Sequence, residues 1–268
     1  MPTAYNLITI KCDVNIKYSW DDFQKKPQDK ELLKAIYQKY NFSSWLKDLD
    51  SNLDSLASPS NKEQKESDEF TFVNTKDYEL VNTKDKLLKW VKDIEKHKFV
   101  AVDTETNSLN TMKAELVGIS LCINPGRACY IPIKHQNASQ EQLKLDDVLI
   151  TLKPLLEDTS IKKVGQNIKY DSHIFLNYNI SLNGITDDTM LMSYVLESNQ
   201  NHGMNKLSSK YLNHNCISYE SLVGKGVNQL TFDQVTLEDA VIYAAEDADV
   251  TLRLYNLLLN RVNNEINT

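Results

Sequence analysis

Residues Phe99 to Thr104 read Phe-Val-Ala-Val-Asp-Thr, a run apolar enough for both faces of a strand, and it closes on Asp103 and Glu105. Residues two apart on a strand point to the same face, so the two carboxylates share one side. An Asp-x-Glu spacing by itself is common on solvated edges. Here the apolar run matters, because a strand covered on both faces should not carry two acids unless something compensates them. Whatever this chain folds into must put a partner opposite that pair.

Two further segments offer polar groups in a regular pattern. Val164-Gly165-Gln166-Asn167-Ile168-Lys169-Tyr170-Asp171 reads as a buried strand delivering the chain to a helix. Asn167 and Asp171 are four apart and share a helix face. They also suit an N-cap and a dipole-compensating first-turn acid. Tyr243-Ala244-Ala245-Glu246-Asp247-Ala248-Asp249 repeats the spacing with Tyr243 and Asp247. The small Ala244, Ala245 and Ala248 would let that helix approach a sheet closely and bury Asp247. Glu246 and Asp249 fall on other faces and read as surface charges.

Around these segments the pattern is α/β. Tyr78 to Val81 is extended, and Thr83 to Lys96 is an amphipathic helix with Leu87, Leu88, Val91 and Ile94 inward. Phe99 to Thr104, Glu115 to Ile123 and Ala128 to Ile133 read as three strands with short connections, an antiparallel meander. A helix over Gln140 to Glu157, a strand over Ile161 to Gly165 and a helix over Asn167 to Tyr178 follow. A short strand near Gly184 to Thr186, a helix capped by Asp188, and a closing helix over Leu237 to Val262 complete a mixed sheet flanked by helices.

The polar stretch Ser51 to Glu69 holds almost no large apolar residue after Leu56 and reads as a linker. It divides a small, mostly helical segment, 1–50, from a main domain, 70–268. In the first segment Leu32, Leu33, Ile36 and Tyr37 recur at helical spacing. No apolar run reaches the roughly 20 residues of a membrane-spanning helix, and the start Met-Pro-Thr-Ala-Tyr-Asn lacks a secretory signal; cytoplasmic residence is expected. Cys12, Cys122, Cys129 and Cys216 show no Cys-x-x-Cys spacing, which argues against a zinc site or a disulfide framework. The net charge of -7 does not exclude nucleic acid, since such affinity comes from local basic patches and clustered carboxylates would lower the total.

If Asp103, Glu105, Asp171 and Asp247 converge, they cannot stand alone. Two unit charges 4 Å apart repel by about 4 kcal/mol at an effective dielectric near 20, and several such pairs exceed a domain's spare stability. Divalent cations remove the difficulty. All-oxygen ligands point to two ions of Mg2+ or Mn2+, an arrangement suited to phosphodiester hydrolysis. Tyr243 could orient a water beside Asp247 and is a poor base at neutral pH.

Taken together, the segments resemble the DEDD superfamily of 3′–5′ exonucleases, in its tyrosine-containing branch. Phe99 to Leu109, Val164 to Asp171, Asp188 to Tyr194, Gly224 to Phe232 and Tyr243 to Leu252 are similar to the proofreading domain of bacterial DNA polymerase I, over roughly residues 70 to 265. The resemblance implies an RNase H-like fold, with Asp103, Glu105, Asp171 and Asp247 binding metal and Tyr243 orienting water. It also implies contacts to 3′-terminal nucleotides from Thr106, Leu109, Gln166, Asn167 and Tyr219. Asn201 stands where the family often has a basic residue, just before His202. Residues Tyr5 to Val14 and Glu31 to Trp45 resemble the tail of the 5′-nuclease region, without its acidic motifs, so no catalysis is expected there. No polymerase activity is expected either. The implied substrate is a DNA 3′ end, preferably single-stranded, with a polymerase domain on a separate chain as a candidate partner. Two other functions compete: an RNA-trimming exonuclease of the RNase D kind, and a catalytically inactive nucleic-acid-binding scaffold.

Overall fold

The structure, a computed structural model, describes residues 27–40, 78–136, 138, 140–226 and 229–265, with scattered positions between 9 and 49. The expected linker, 51–69, lies outside the described residues. The chain divides into two compact units, Met1–Gln64 and Lys65–Thr268.

In the first unit, helix α1 (Lys30–Lys39) starts where Asp29 accepts a hydrogen bond from the Leu32 amide at 3.0 Å, satisfying one of the amides a helix start leaves open.

The second unit is built on a six-stranded mixed sheet. Its strands are β1 (Glu79–Leu80), β2 (Phe99–Thr106), β3 (Leu116–Asn124), β4 (Arg127–Pro132), β5 (Lys162–Gly165) and β6 (Ile185–Asp188), in the order β1-β4-β3-β2-β5-β6. The expected meander is present: β2, β3 and β4 pair antiparallel, while β1, β5 and β6 join as parallel neighbours.

Alternation along β2 decides what each face of the sheet meets. Val100 and Val102 join a large apolar cluster with helices α2 (Lys84–His97), α3 (Leu145–Glu157) and α4 (Ile168–Leu176). Ala101, one residue out of phase, packs with Cys122, Ala128 and Val164 against Ala245, Ala248 and Leu252 of the long helix α8 (Leu237–Glu265). Asp103 and Glu105 follow Ala101 in phase, so they face α8. The alanines on α8 are fully buried and leave its backbone close to the sheet. A larger side chain at Ala245 would overpack that contact, at a typical cost of about 1–3 kcal/mol.

Three shorter helices complete the unit: α5 (Thr189–Leu196), α6 (Met204–Tyr211) and α7 (Tyr219–Val223). Met192 of α5 and Leu207 of α6 pack against Val250, Leu254 and Leu258, so α8 is covered on its far side as well. None of the helices among the described residues is long and apolar enough to cross a membrane.

Three sequence expectations need correction. Helix α3 starts at Leu145 rather than at Gln140, because the Gln142 side chain instead bridges the His135 backbone, accepting from its amide at 2.8 Å and donating to its carbonyl at 2.9 Å. Leu88 is 39% exposed; the inward position on α2 belongs to Trp90, whose indole N–H donates to Glu79 at 2.9 Å. Glu246 and Asp249 are not surface charges, being 2% and 0% exposed.

Candidate active site

The acidic pair sits where β2 bends. Pairing with β3 is regular from Ala101 to Glu105, then shifts register between Glu105 and Thr106. Such a bulge bends and twists the strand and re-aims the side chains beside it. Gly118 lies directly across from Glu105, and the Tyr130 ring crosses over it: a Cβ there would stand 2.1 Å from the Tyr130 hydroxyl oxygen. That hydroxyl is in turn 2.8 Å from His135 Nε2, which fixes the ring. Any side chain at position 118 would therefore push on the support of the acidic pair.

Asp171 is delivered by α4. The sharp entry into this helix is held by Asp188, whose carboxylate accepts from the Asn167 amide at 3.1 Å and the Ile168 amide at 2.9 Å. The same carboxylate accepts from the Met190 and Leu191 amides and so caps α5 too. One side chain thus orders two helix starts. Asn167 occupies the N-cap position in a left-handed conformation, φ 60°, and makes no side-chain capping bond, so the capping role read from sequence falls to Asp188. Asp171 accepts from the Thr104 hydroxyl at 2.6 Å, which ties it to β2.

Asp247 comes from α8. One carboxylate oxygen from each of Asp103, Glu105 and Asp247 lies within 4.8 Å of the others. The charges acting on Glu105 are those of Asp103, Asp247 and Asp171, all of one sign. Burial pushes the Asp103 carboxyl up to about 7. Glu105, Asp171 and Asp247 are driven well above the usual carboxylate range, by burial first and then by the neighbouring acids. The Tyr243 phenol, beside Asp247, is raised by burial and by the Asp247 charge. It therefore stays protonated and can donate a hydrogen bond, but cannot serve as a base at neutral pH.

An open cleft of about 810 Å³ leads to this cluster. It is lined by Asp103, Glu105, Thr106, Leu109, Tyr219, Tyr243 and Asp247 among the residues singled out in the sequence. Of these lining residues, Leu109 is 94% exposed and Tyr219 39%. Thr106 is engaged internally, its hydroxyl donating to the Ser108 carbonyl at 3.0 Å and meeting the Tyr170 hydroxyl at 2.5 Å. Gln166 and Asn167 do not line the cleft. Both ends of the Gln166 amide are taken, the nitrogen donating to the His202 carbonyl at 2.8 Å and the oxygen accepting from Thr189.

Residues given no role from sequence also shape the site. Tyr170, Ser108, Leu230 and Thr231 line the cleft. All four lie inside segments already singled out, Phe99 to Leu109, Val164 to Asp171 and Gly224 to Phe232. Thr104 and Asp188 act through side-chain bonds across 67 and 20 or more residues, a separation that leaves no local sequence signal.

Comparison with known proteins agrees with this geometry. A family described as 3'-5' exonuclease matches residues 78–263. DNA polymerase I of Pseudomonas aeruginosa is 41% identical over 97% of this chain and 28% of its own length. DNA polymerase I of Rhizobium leguminosarum is 44% identical over 65% of this chain and 19% of its own. The chain thus spans less than a third of these curated relatives. Among solved structures, Trypanosoma brucei RNase D superposes with a TM-score of 0.56 at 17% identity, covering 68% of this chain and 64% of that one. Escherichia coli RNase D gives 0.51 at 20% identity, over 70% of this chain and 45% of that one. At such identities the likeness establishes the fold, which is RNase H-like. With the family match running from the first strand through most of α8, the chain belongs to the 3'-5' exonuclease family, alongside the exonuclease domains of DNA polymerase I.

Proposed function

We propose that this chain hydrolyses DNA from the 3′ end, releasing nucleoside 5′-monophosphates, with two divalent cations of the Mg2+ or Mn2+ kind at the acidic cluster. The observation that carries the reading is the convergence of three carboxylate oxygens within 4.8 Å at the floor of an open cleft. The donor set is all oxygen and of one charge, which fits hard divalent ions rather than zinc or copper. Asp103, Glu105 and Asp247, with Asp171 beside them, would hold the ions. When bound, such ions lower the pKa of a coordinated water and neutralise charge on the phosphorus and the leaving 3′-oxygen.

The chain's own groups supply position. Tyr243, protonated and beside Asp247, orients the attacking water through its hydroxyl. Leu109 and Tyr219, both lining the cleft, suit wedging between and stacking on the terminal bases, contacts that tolerate any sequence. Thr106 lines the cleft, and its hydroxyl would have to give up its bond to Ser108 or Tyr170 to reach the substrate. Gln166, assigned to the substrate by resemblance, would first have to leave its contacts with His202 and Thr189, while the exposed Asn167 would have to reach the substrate from outside the cleft.

DNA is preferred over RNA because the sequence relatives are DNA polymerases I, whereas the RNase D likeness is one of fold. In this reading residues 70–268 are the exonuclease domain, 51–69 a linker, and 1–50 a non-catalytic segment. A polymerase domain is the natural partner, and the setting is cytoplasmic. The test is a time course with Mg2+ on matched 3′-labelled single-stranded DNA and RNA. Faster mononucleotide release from DNA is expected; faster digestion of RNA would replace this reading with an RNase D-like one. Activity surviving Asp103→Ala combined with Asp247→Ala would overturn the site.

A further inference from the structure

We propose that His214, Cys216 and Glu246 form a second cation site, of the zinc class and separate from the acidic cluster. One ligand atom from each, a ring nitrogen, the thiol sulfur and a carboxylate oxygen, lies within 4.8 Å of the other two. Tetrahedral zinc bonds of about 2.0–2.3 Å put ligand atoms roughly 3.3–3.7 Å apart, so closing on an ion asks for movements of about an ångström. The mixed nitrogen, sulfur and oxygen set is unlike the all-oxygen cluster and selects a softer ion.

The three groups are held in place before any ion arrives. His214 follows Asn213, which turns the chain in a left-handed conformation at φ 51°. The His214 carbonyl accepts from the buried Ser208 hydroxyl at 2.9 Å, and its amide donates to the Ser208 carbonyl at 3.3 Å. On the other side Glu246, 2% exposed, accepts from the Ile217 amide at 2.7 Å through one oxygen. Its second oxygen meets His214 Nε2 at 2.9 Å. The segment carrying His214 and Cys216 is therefore pinned at both ends around Glu246. His214 and Cys216 are only part-buried, which leaves an approach for the ion and for a water as fourth ligand.

Binding replaces the contact between the ring and the carboxylate. The His214 proton shifts through solvent from Nε2 to Nδ1, and the Cys216 thiol releases its proton to solvent. Nothing else is consumed. The position gives the site a consequence: Glu246 adjoins Asp247 on α8, and Cys216 stands three residues before Tyr219 of the cleft wall. An ion here would clamp that wall to the helix carrying Asp247.

The site does not depend on the exonuclease reading, and its test does not read activity. Co2+ titrated into the full chain should produce a near-ultraviolet thiolate-to-cobalt charge-transfer band that saturates at one equivalent. Cys216→Ser, which keeps the side-chain size, should abolish the band, and His214→Ala should weaken Co2+ binding at least about 10-fold. Zn2+ added afterwards should displace the cobalt and bleach the band. Absence of the band in the wild-type chain overturns the proposal. So does a band that persists in Cys216→Ser, since the thiolate would then lie elsewhere.

Discussion

Asp247 and Asp249 stand two residues apart on α8, both hidden from water at 8% and 0% exposure, and they live in opposite electrostatic surroundings. Asp249 is answered by the protein itself: Arg253 Nε donates to it at 3.0 Å, the Gly126 amide at 2.8 Å and the Tyr78 hydroxyl at 2.9 Å. Its carboxylate ties β1, the β3–β4 turn and α8 together. Asp247 instead faces Asp103 and Glu105, whose charges repel it. Burial of an acid therefore says little about function. The informative feature is burial among like charges, which the fold tolerates only if something from outside completes it.

The comparison breaks most visibly on the Asp247 side. Asp247→Asn should lower Mg2+-dependent release of nucleotides by at least about 1,000-fold, more than about 4 kcal/mol of barrier. The same change should raise thermal stability in EDTA, because it removes one of the crowded charges. Mg2+ or Mn2+ should raise the wild-type melting temperature, by about 2.7 kcal/mol of stability at a hundredfold excess over Kd. The variant should lose most of that gain. A variant less stable than wild type in EDTA would show that Asp247 is held by the protein, as Asp249 is.

Asp249→Asn should do the reverse. Activity per folded molecule changes little, but stability drops by about 3 kcal/mol, with or without metal, since the carboxylate shared by Arg253, Tyr78 and Gly126 is gone. Urea unfolding read by circular dichroism checks this. An Asp249→Asn loss that metal restores would erase the distinction between the two acids.

Sequence periodicity reaches one of these environments and misses the other. The alternation Ala101, Asp103, Glu105 and the spacing Tyr243 to Asp247 are local, so the candidate acids were legible from residues, while their convergence stayed a condition that only the family resemblance supplied. The misreading of Glu246 and Asp249 has a physical cause: a helix-face argument assumes that one side of the helix meets solvent. Between Ala244 and Leu254 every side of α8 is covered, by the sheet on one flank and by α5 and α6 on the other. With no solvent face, an acid off the sheet-facing stripe is still buried, and its partner comes from up to 171 residues away. Asp188 shows the same limit. Its cap on α5 is local and was expected, while its hold on the start of α4, which orients Asp171, depends on strand pairing between β5 and β6.

A third buried charge gives the finest version of the contrast, this time with a cation. Lys163, on β5, is fully buried, and its ammonium donates to the Asp158 carbonyl at 2.6 Å, whereas Arg253 meets a full carboxylate. Burial depresses the Lys163 pKa to about 8 from its ordinary 10.5, with the Asp158 charge opposing. Between those two values the unfolded chain binds the lysine proton and the folded chain has released it, so this group makes stability rise with pH over that window. Below about pH 8 the ammonium is charged in both states and its full burial cost is present. Lys163→Met should remove the cost and the slope together, a gain of about 1 kcal/mol at pH 7 that fades by pH 10. Urea midpoints of the two proteins at pH 7, 8.5 and 10 would show the gap narrowing as pH rises. A gap that stays constant would mean that the Asp158 carbonyl and carboxylate compensate Lys163 as fully as Asp249 does Arg253.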